Sequence, residues 1–295
     1  MPPLMTARRI DGSQLAAEAK ANLRQEIEQL RSEGVHPHLV ALSVGHDESS
    51  EAYLRRQQRG AEGVGIDYSQ VRLPQEVDEK GLLGEIDRLN RDPSVTGVIL
   101  QRPLPTSMDD RRVQCALSID KDVEGLTPAN LGLLYFGRHI VAPATALGVI
   151  QLLQRSGIEL KGREVTVIGA SDIVGKPLSI LLTAAWATVT LCHIETRDLA
   201  AHARRAEILI SAVGKPGLVT ADMVRPGATV IDVGYSRRPC PVGSGQTQVS
   251  GDVDFDAVSE IAGAITPVPG GVGPMTVVML LANTVRCAVR MAKAN

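Results

Sequence analysis

A two-domain α/β architecture is predicted from three features of the sequence. Short apolar runs alternate with amphipathic stretches along both halves, the composition shifts near residues 138–157, and a strand, glycine turn and helix pattern occupies 165–182. The alternation implies parallel sheets, because parallel neighbours need a long crossover and a helix is the usual one.

The elements follow in order. After Asp11-Gly12, the segment from Ser13 to about Ser32 carries Leu15, Ala16, Ala19, Leu23, Ile27 and Leu30 at helical spacing, with Ser13 placed as its N-cap. "HLVALSVG" (38–45) reads as a buried strand, after which Ser49 or Ser50 caps a helix carrying Tyr53. A strand near 68–73, a helix over 76–92 and a strand from 95 running into a proline loop at 105 complete the first half. The domain boundary is placed at Pro143, with 1–142 as the first domain and 143–274 as the second. Beyond it, β-type runs at 164–171, 188–193, 206–214 and 228–234 recur roughly every 20 residues, a nucleotide-binding α/β rhythm. "ITPVPGGVGPMT" (265–276) packs three prolines and three glycines without a charge, and reads as a rigid loop between the domains, neither helix nor regular strand. The apolar segment 275–295 is expected to return as a helix to the first domain.

Composition narrows the function. With 295 residues, 44% apolar, 22% charged and a net charge of -2, the chain suits a globular protein with no global attraction to nucleic acid or acidic membranes. Aromatics at 2% leave few stacking surfaces for bases. Cys115, Cys192, Cys240 and Cys287 are far apart without CxxC spacing, so neither zinc nor a disulfide framework is indicated and no metal is expected. The N-terminal stretch lacks the apolar core of a signal peptide and no run approaches about 18 uninterrupted apolar residues, which makes a cytoplasmic protein the expectation.

Two local patterns carry chemistry. Gly169 and Gly175 bracket a turn and Pro177 sits in the first turn of the next helix, so a pyrophosphate could rest on the free amides; a plain strand-to-helix corner is the alternative, since Ser171 stands where a second glycine would be. "CHIETRDL" closes the next strand. There Glu195 could hold ribose hydroxyls and repel a 2′-phosphate, which favours NAD; Arg197 could instead serve a phosphate, or both could be exposed loop charges.

Together, "VGHDESSEAY", "GVILQRPLP", "KDVEGLTPANLG", "GASDIVGKP", "AVGKPG", "VIDVG", the Gly251–Val253 "GDV" and "TPVPGGVGPMT" closely resemble the methylenetetrahydrofolate dehydrogenase/cyclohydrolase family over nearly the whole chain. The resemblance implies an N-terminal α/β catalytic domain and a Rossmann-type dinucleotide-binding domain with a cleft between them, a homodimer, and oxidation of 5,10-methylenetetrahydrofolate with NAD(P), usually followed by hydrolysis to 10-formyltetrahydrofolate. NADP is the commoner family cofactor, whereas Glu195 locally favours NAD. Carried over motif by motif, it places Tyr53, Gln57, Gln101 and Glu124 in catalysis, and Ser50, Tyr53, Gln101, Pro103, Glu124, Pro269, Gly270, Gly271 and Pro274 on the folate. It places the dinucleotide on Thr145, on Gly169, Ala170, Ser171, Ile173 and Val174, on Ile194 and Glu195, on Ala212, Val213 and Gly214, on Asp232, Val233 and Gly234, and on Gly273 and Thr276.

Departures from the family pattern are informative. Its Ser-x-x-Tyr-x-x-x-Lys has Gln57 at the lysine position, which an i,i+4 helical spacing keeps on the face of Tyr53 but which cannot titrate. Arg56 and Arg59 keep their protons and cannot replace it. Glu124 replaces the usual aspartate, a shift of the carboxylate by about 1 Å, while Arg102 replaces a leucine and Ala170 an arginine. "PATA" at 143–146 replaces Pro-Cys-Thr-Pro, and Arg55 is expected to pair with Glu51 and Asp47. These departures predict a dehydrogenase with cyclohydrolase activity weak or absent. A fully bifunctional enzyme, a non-catalytic folate or dinucleotide sensor and an oxidoreductase on another pterin are the alternatives.

Overall fold

The computed structural model describes residues 6–45, 48–239 and 247–294. Its strands and helices, in chain order, begin with β1 (Arg8–Arg9), α1 (Gly12–Ser32), β2 (His38–Val44), α2 (Glu48–Val64), β3 (Asp67–Leu73), α3 (Glu79–Arg91) and β4 (Gly97–Leu100). After α4 (Asp110–Ala116), α5 (Pro128–Tyr135) and α6 (Ala144–Arg155) come β5 (Glu164–Ile168), α7 (Gly175–Ala184), β6 (Thr188–Cys192), α8 (Leu199–Arg205), β7 (Ile208–Ser211) and β8 (Thr229–Asp232). A hairpin of β9 (Ser236–Pro239) and β10 (Thr247–Ser250) precedes α9 (Phe255–Ser259), β11 (Ala264–Ile265) and α10 (Val272–Ala294).

The chain divides into two compact units. One comprises Glu18–Ala144 and the residues from Val277 onward, the other the residues up to Ala17 with Thr145–Thr276. In the first, a parallel sheet has the order β3-β2-β4. Its central strand is apolar without alternation, since helices cover both faces. Leu39 packs with Leu23 and Ile27 of α1, Ala61 and Val64 of α2 and Leu280, Leu281 and Val285 of α10, whereas Val40 and Leu42 face Leu82, Ile86 and Leu89 of α3 and Val113 of α4. Long and apolar enough to span a membrane by composition alone, α10 is thus a largely buried core helix. Asn283 on it donates from Nδ2 to the carbonyls of Val123 (2.8 Å) and Ala142 (2.9 Å), tying it to the segment before Glu124.

The second unit holds a six-stranded, wholly parallel sheet in the order β1-β11-β8-β7-β5-β6. Residues 6–17 belong here, not with the rest of 1–142 as the sequence suggests. The reason is backbone pairing: Arg8 and Arg9 lie beside Ala264 and Ile265, and the Ser13 amide donates to Gly270 O at 3.0 Å. Gly12 permits that approach, since a Cβ there would sit 1.8 Å from Gly271 O.

Several helix ends differ from expectation. Asp11 caps α1, its Oδ1 accepting the amides of Ser13 and Gln14 at 3.0 Å each, so Ser13 lies inside the helix. Likewise α2 starts at Glu48 and contains Ser49 and Ser50. The proline- and glycine-rich stretch is irregular only over 266–271; α10 begins at Val272 because Pro274 falls in its first turn, where no amide is needed. Neither α4 nor α5 is anticipated; both are short, begun by Asp109 and by Thr127-Pro128.

Candidate active site

Ligands of open parallel sheets bind beyond the carboxyl ends of the strands. In the first unit a pocket opens there, lined by Ser43 near the end of β2 and Gly45 just after it, Arg72 near the end of β3, Gln101 and Pro103 after β4, and Glu51 of α2. Glu51 forms a close ion pair with Arg72 and a looser one with Arg55 at 3.8 Å, so Arg55 is not its main partner. Asp47 lies outside the described residues, as do the side chains of Ser50 and Tyr53, although both positions are within α2.

Three polar groups expected in the site carry a buried atom with no hydrogen-bond partner among the described residues: Gln57 Nε2, Gln101 Oε1 and Glu124 Oε2. Gln57 is only 1% exposed, and its Oε1 accepts from the Tyr68 hydroxyl at 3.4 Å. Gln101 donates from Nε2 to the Arg102 carbonyl at 3.0 Å. Glu124 follows Asp122, which bridges to Val98 of β4 and thereby sets the carboxylate beside that strand. Burial is the main cause that pushes the Glu124 carboxyl up to about 7; Arg102 opposes the shift, and Asp122 adds to it. Buried polar atoms left without partners cost stability, which a polar ligand reaching them would relieve; Gln114, Asp122 and Asn130 each carry such an atom as well.

Two residues beside them were not singled out from the sequence. Asp122 is fully buried, and its Oδ2 accepts the Thr127 amide (2.7 Å) and Asn130 Nδ2 (2.9 Å), which fixes the turn after Glu124. Lys121 turns inward and donates to the carbonyls of Leu89 (2.7 Å) and Asp92 (2.5 Å), closing α3. Both neighbour Glu124 in one polar run, the signal that could have drawn attention to them.

In the second unit the glycine turn is tightly built. Gly169 has φ 110°, and a Cβ there would meet Ala212 O at 2.3 Å; a Cβ on Gly175 would meet Gly169 O at 1.7 Å. Side chains are excluded at both glycines of a turn that leads into the N-terminus of α7, an arrangement that fits a pyrophosphate. Ala170, Ser171, Ile173 and Val174 form this turn, the Val174 amide donating to Ser171 Oγ at 3.2 Å.

At the carboxyl ends of β7 and β8 lie 212–214 and 232–234. Asp232 accepts the amides of Gly234 (2.8 Å) and Asp252 (3.0 Å) on Oδ1 and of Val253 (2.9 Å) on Oδ2, so its carboxylate is committed inside the fold, and burial pushes it up to about 6. Asp252, fully buried, accepts from Ser211 Oγ and the Val213 amide, each at 2.8 Å. The sequence signal for Asp252 was present in "GDV", an acid between a glycine and a valine. Val233 is held by its amide to Ser211 O (2.8 Å), and Gly214 O accepts from Ser236 Oγ at 2.9 Å.

At the end of β6, Ile194 is 96% exposed and Glu195 is exposed as well; the Glu195 amide donates to His193 Nδ1 at 3.2 Å, and its carboxylate has no ion-pair partner among the described residues. Thr145 and Thr276 meet through their hydroxyls at 3.5 Å. Pro269 and Gly273 are exposed, Gly270 and Pro274 half-buried and Gly271 buried.

The glycine turn, the parallel order and the paired acids define the second unit as a dinucleotide-binding α/β fold of the Rossmann type. Models of the tetrahydrofolate dehydrogenase/cyclohydrolase catalytic domain and of its NAD(P)-binding domain match residues 10–124 and 143–292. The bifunctional protein FolD of Moorella thermoacetica is 48% identical over 97% of this chain and 100% of its own. Among solved structures, the 5,10-methylenetetrahydrofolate dehydrogenase of the silkworm Bombyx mori is similar at 42% identity and TM-score 0.91, over 97% of this chain and 99% of that one. The Trypanosoma brucei methylenetetrahydrofolate dehydrogenase-cyclohydrolase, complexed with NADP and an inhibitor, gives 36% and 0.92, with coverage of 97% and 99%. The chain belongs to the tetrahydrofolate dehydrogenase/cyclohydrolase family.

Proposed function

We propose that the chain oxidises 5,10-methylenetetrahydrofolate to the methenyl form, prefers NAD, and hydrolyses the methenyl product weakly or not at all. The observation that carries this reading is Gln57, a buried, neutral carboxamide where the family pattern has a lysine.

The two reactions make different demands. In the oxidation, the nitrogen lone pairs of the substrate's imidazolidine ring expel hydride and leave a delocalised amidinium, so no proton moves and orientation suffices. The nicotinamide, when bound, supplies the hydride acceptor. Gln57 and Gln101 provide a donor and an acceptor to orient the folate, and Glu124 a carboxylate for the polar edge of its pterin. Hydrolysis instead needs a proton taken from water and one delivered to a ring nitrogen. Losing a positioned acid/base typically costs about 10²–10⁴ in rate.

NAD is favoured because the ribose end of the dinucleotide site carries Ala170, Ile194 and Glu195, with no cation among these three and a free carboxylate that repels a 2′-phosphate. The test is reduction of each cofactor by the purified protein with 5,10-methylenetetrahydrofolate. NAD is expected to give the higher kcat/KM, with Glu195→Ser narrowing the gap; a wild-type preference for NADP contradicts this assignment.

A second reading, the fully bifunctional enzyme, is favoured by one observation. The Glu124 carboxyl, pushed up to about 7, titrates where a general acid/base is useful.

A further inference from the structure

Arg102 extends from the loop after β4, and two contacts to α4 fix its guanidinium. Nε lies 3.1 Å from each oxygen of Asp110, and Nη2 donates to Gln114 Oε1 at 2.8 Å. Asp110 and Gln114 are four residues apart and so share one face of α4. The third nitrogen, Nη1, stands 3.9 Å from Glu124 Oε2, the buried oxygen with no hydrogen-bond partner among the described residues.

The planar fork is therefore oriented before any ligand arrives, and it keeps its charge at every working pH. We propose that Arg102 is a positioning residue for the folate side of the site: anchored on α4, it aims a positive charge at Glu124, favours the ionised form of that carboxylate and keeps it in register for the substrate. This rests on the reading that Glu124 binds the folate ring.

The charged groups facing Glu124 are Arg102, Asp122 two residues before it and Asp110 on α4. Arg102 is the cation among them, set against two carboxylates and burial, all of which favour the protonated acid. The longer reach of Glu124 relative to aspartate and the exchange of leucine for Arg102 thus form a coupled pair. Each change alone is unfavourable: a glutamate without the guanidinium takes up a proton, and an aspartate falls short of it.

The experiment is the pH profile of kcat/KM for 5,10-methylenetetrahydrofolate, at saturating dinucleotide, for wild type, Arg102→Leu, Glu124→Asp and the double variant. Arg102→Leu is expected to move the acid limb upward by about one pH unit, hence to lower kcat/KM about tenfold near pH 6.5 while leaving the alkaline plateau nearly unchanged. The double variant is expected to exceed the product of the single effects, because it restores a short carboxylate beside an apolar neighbour. A limb that stays in place, with Arg102→Leu lowering activity equally at all pH or not at all, overturns the proposal. Glu124→Gln separates the two levels: an unchanged KM for folate removes Glu124 from the site and overturns both claims, whereas a raised KM with an unmoved limb overturns the role of Arg102 alone.

Discussion

At the scale of single residues, the site holds groups in states that cost stability. The Glu124 carboxyl binds its proton more tightly in the folded chain than in the unfolded one, since burial raises it from 4.5 to about 7. Folding stability consequently falls as pH rises from about 4.5 to about 7, and above that range the ionised group costs its full amount. Discounted because a quarter of the side chain stays accessible, the cost is on the order of 2 kcal/mol. Glu124→Gln, neutral throughout, is predicted to unfold at higher urea than wild type at pH 8, with the advantage gone near pH 4.5. Equal midpoints at pH 8 would show that the carboxylate is not penalised. At this scale the sequence motifs draw attention to Gln57, Gln101 and Glu124, each of which carries an orphaned buried atom, but not to Gln114, Asp122 or Asn130, which carry one too. What could not be read is which departures act together, because the meeting of Arg102 with Asp110, Gln114 and Glu124 depends on how α4 packs.

At the scale of elements, the dinucleotide site depends on loops held by buried acids. Asp252 grips Ser211 and the Val213 amide while its own amide donates to Asp232, so segments ending β7 and β8 are fastened to one point. Asp252→Asn weakens charge-assisted bonds, each about 1.5–3 kcal/mol when its acceptor is ionised. It is predicted to raise KM for the dinucleotide about tenfold with little change in KM for folate, measured by initial rates; a cofactor KM within twofold of wild type contradicts a positioning role. The alternation of elements was plain from apolar patterning, and β5 to β8 all fall within their expected spans. Helix starts were less legible. Asp11 and Ser13 are both good caps, and the choice rests on where Gly12 must pass Gly271. The same contact explains why Pro274 lies inside a helix: only Thr266–Gly271 is needed for the close approach.

At the scale of the whole molecule, the two-unit α/β organisation follows from local pattern, whereas the membership of residues 6–17 does not. Two residues of β1 form no recognisable run, and only pairing with β11 assigns them to the larger sheet. The central functional claim is that the chemistry stops after hydride transfer because no lysine stands at position 57. The most direct measurement is the decay of methenyltetrahydrofolate absorbance with purified wild type and with Gln57→Lys, each against the buffer rate. The account predicts decay at or close to the buffer rate for wild type, and for Gln57→Lys a gain of about 10²-fold in enzyme-dependent hydrolysis. Rapid hydrolysis by the wild type, abolished in Glu124→Gln, would contradict it and place the proton transfers on Glu124.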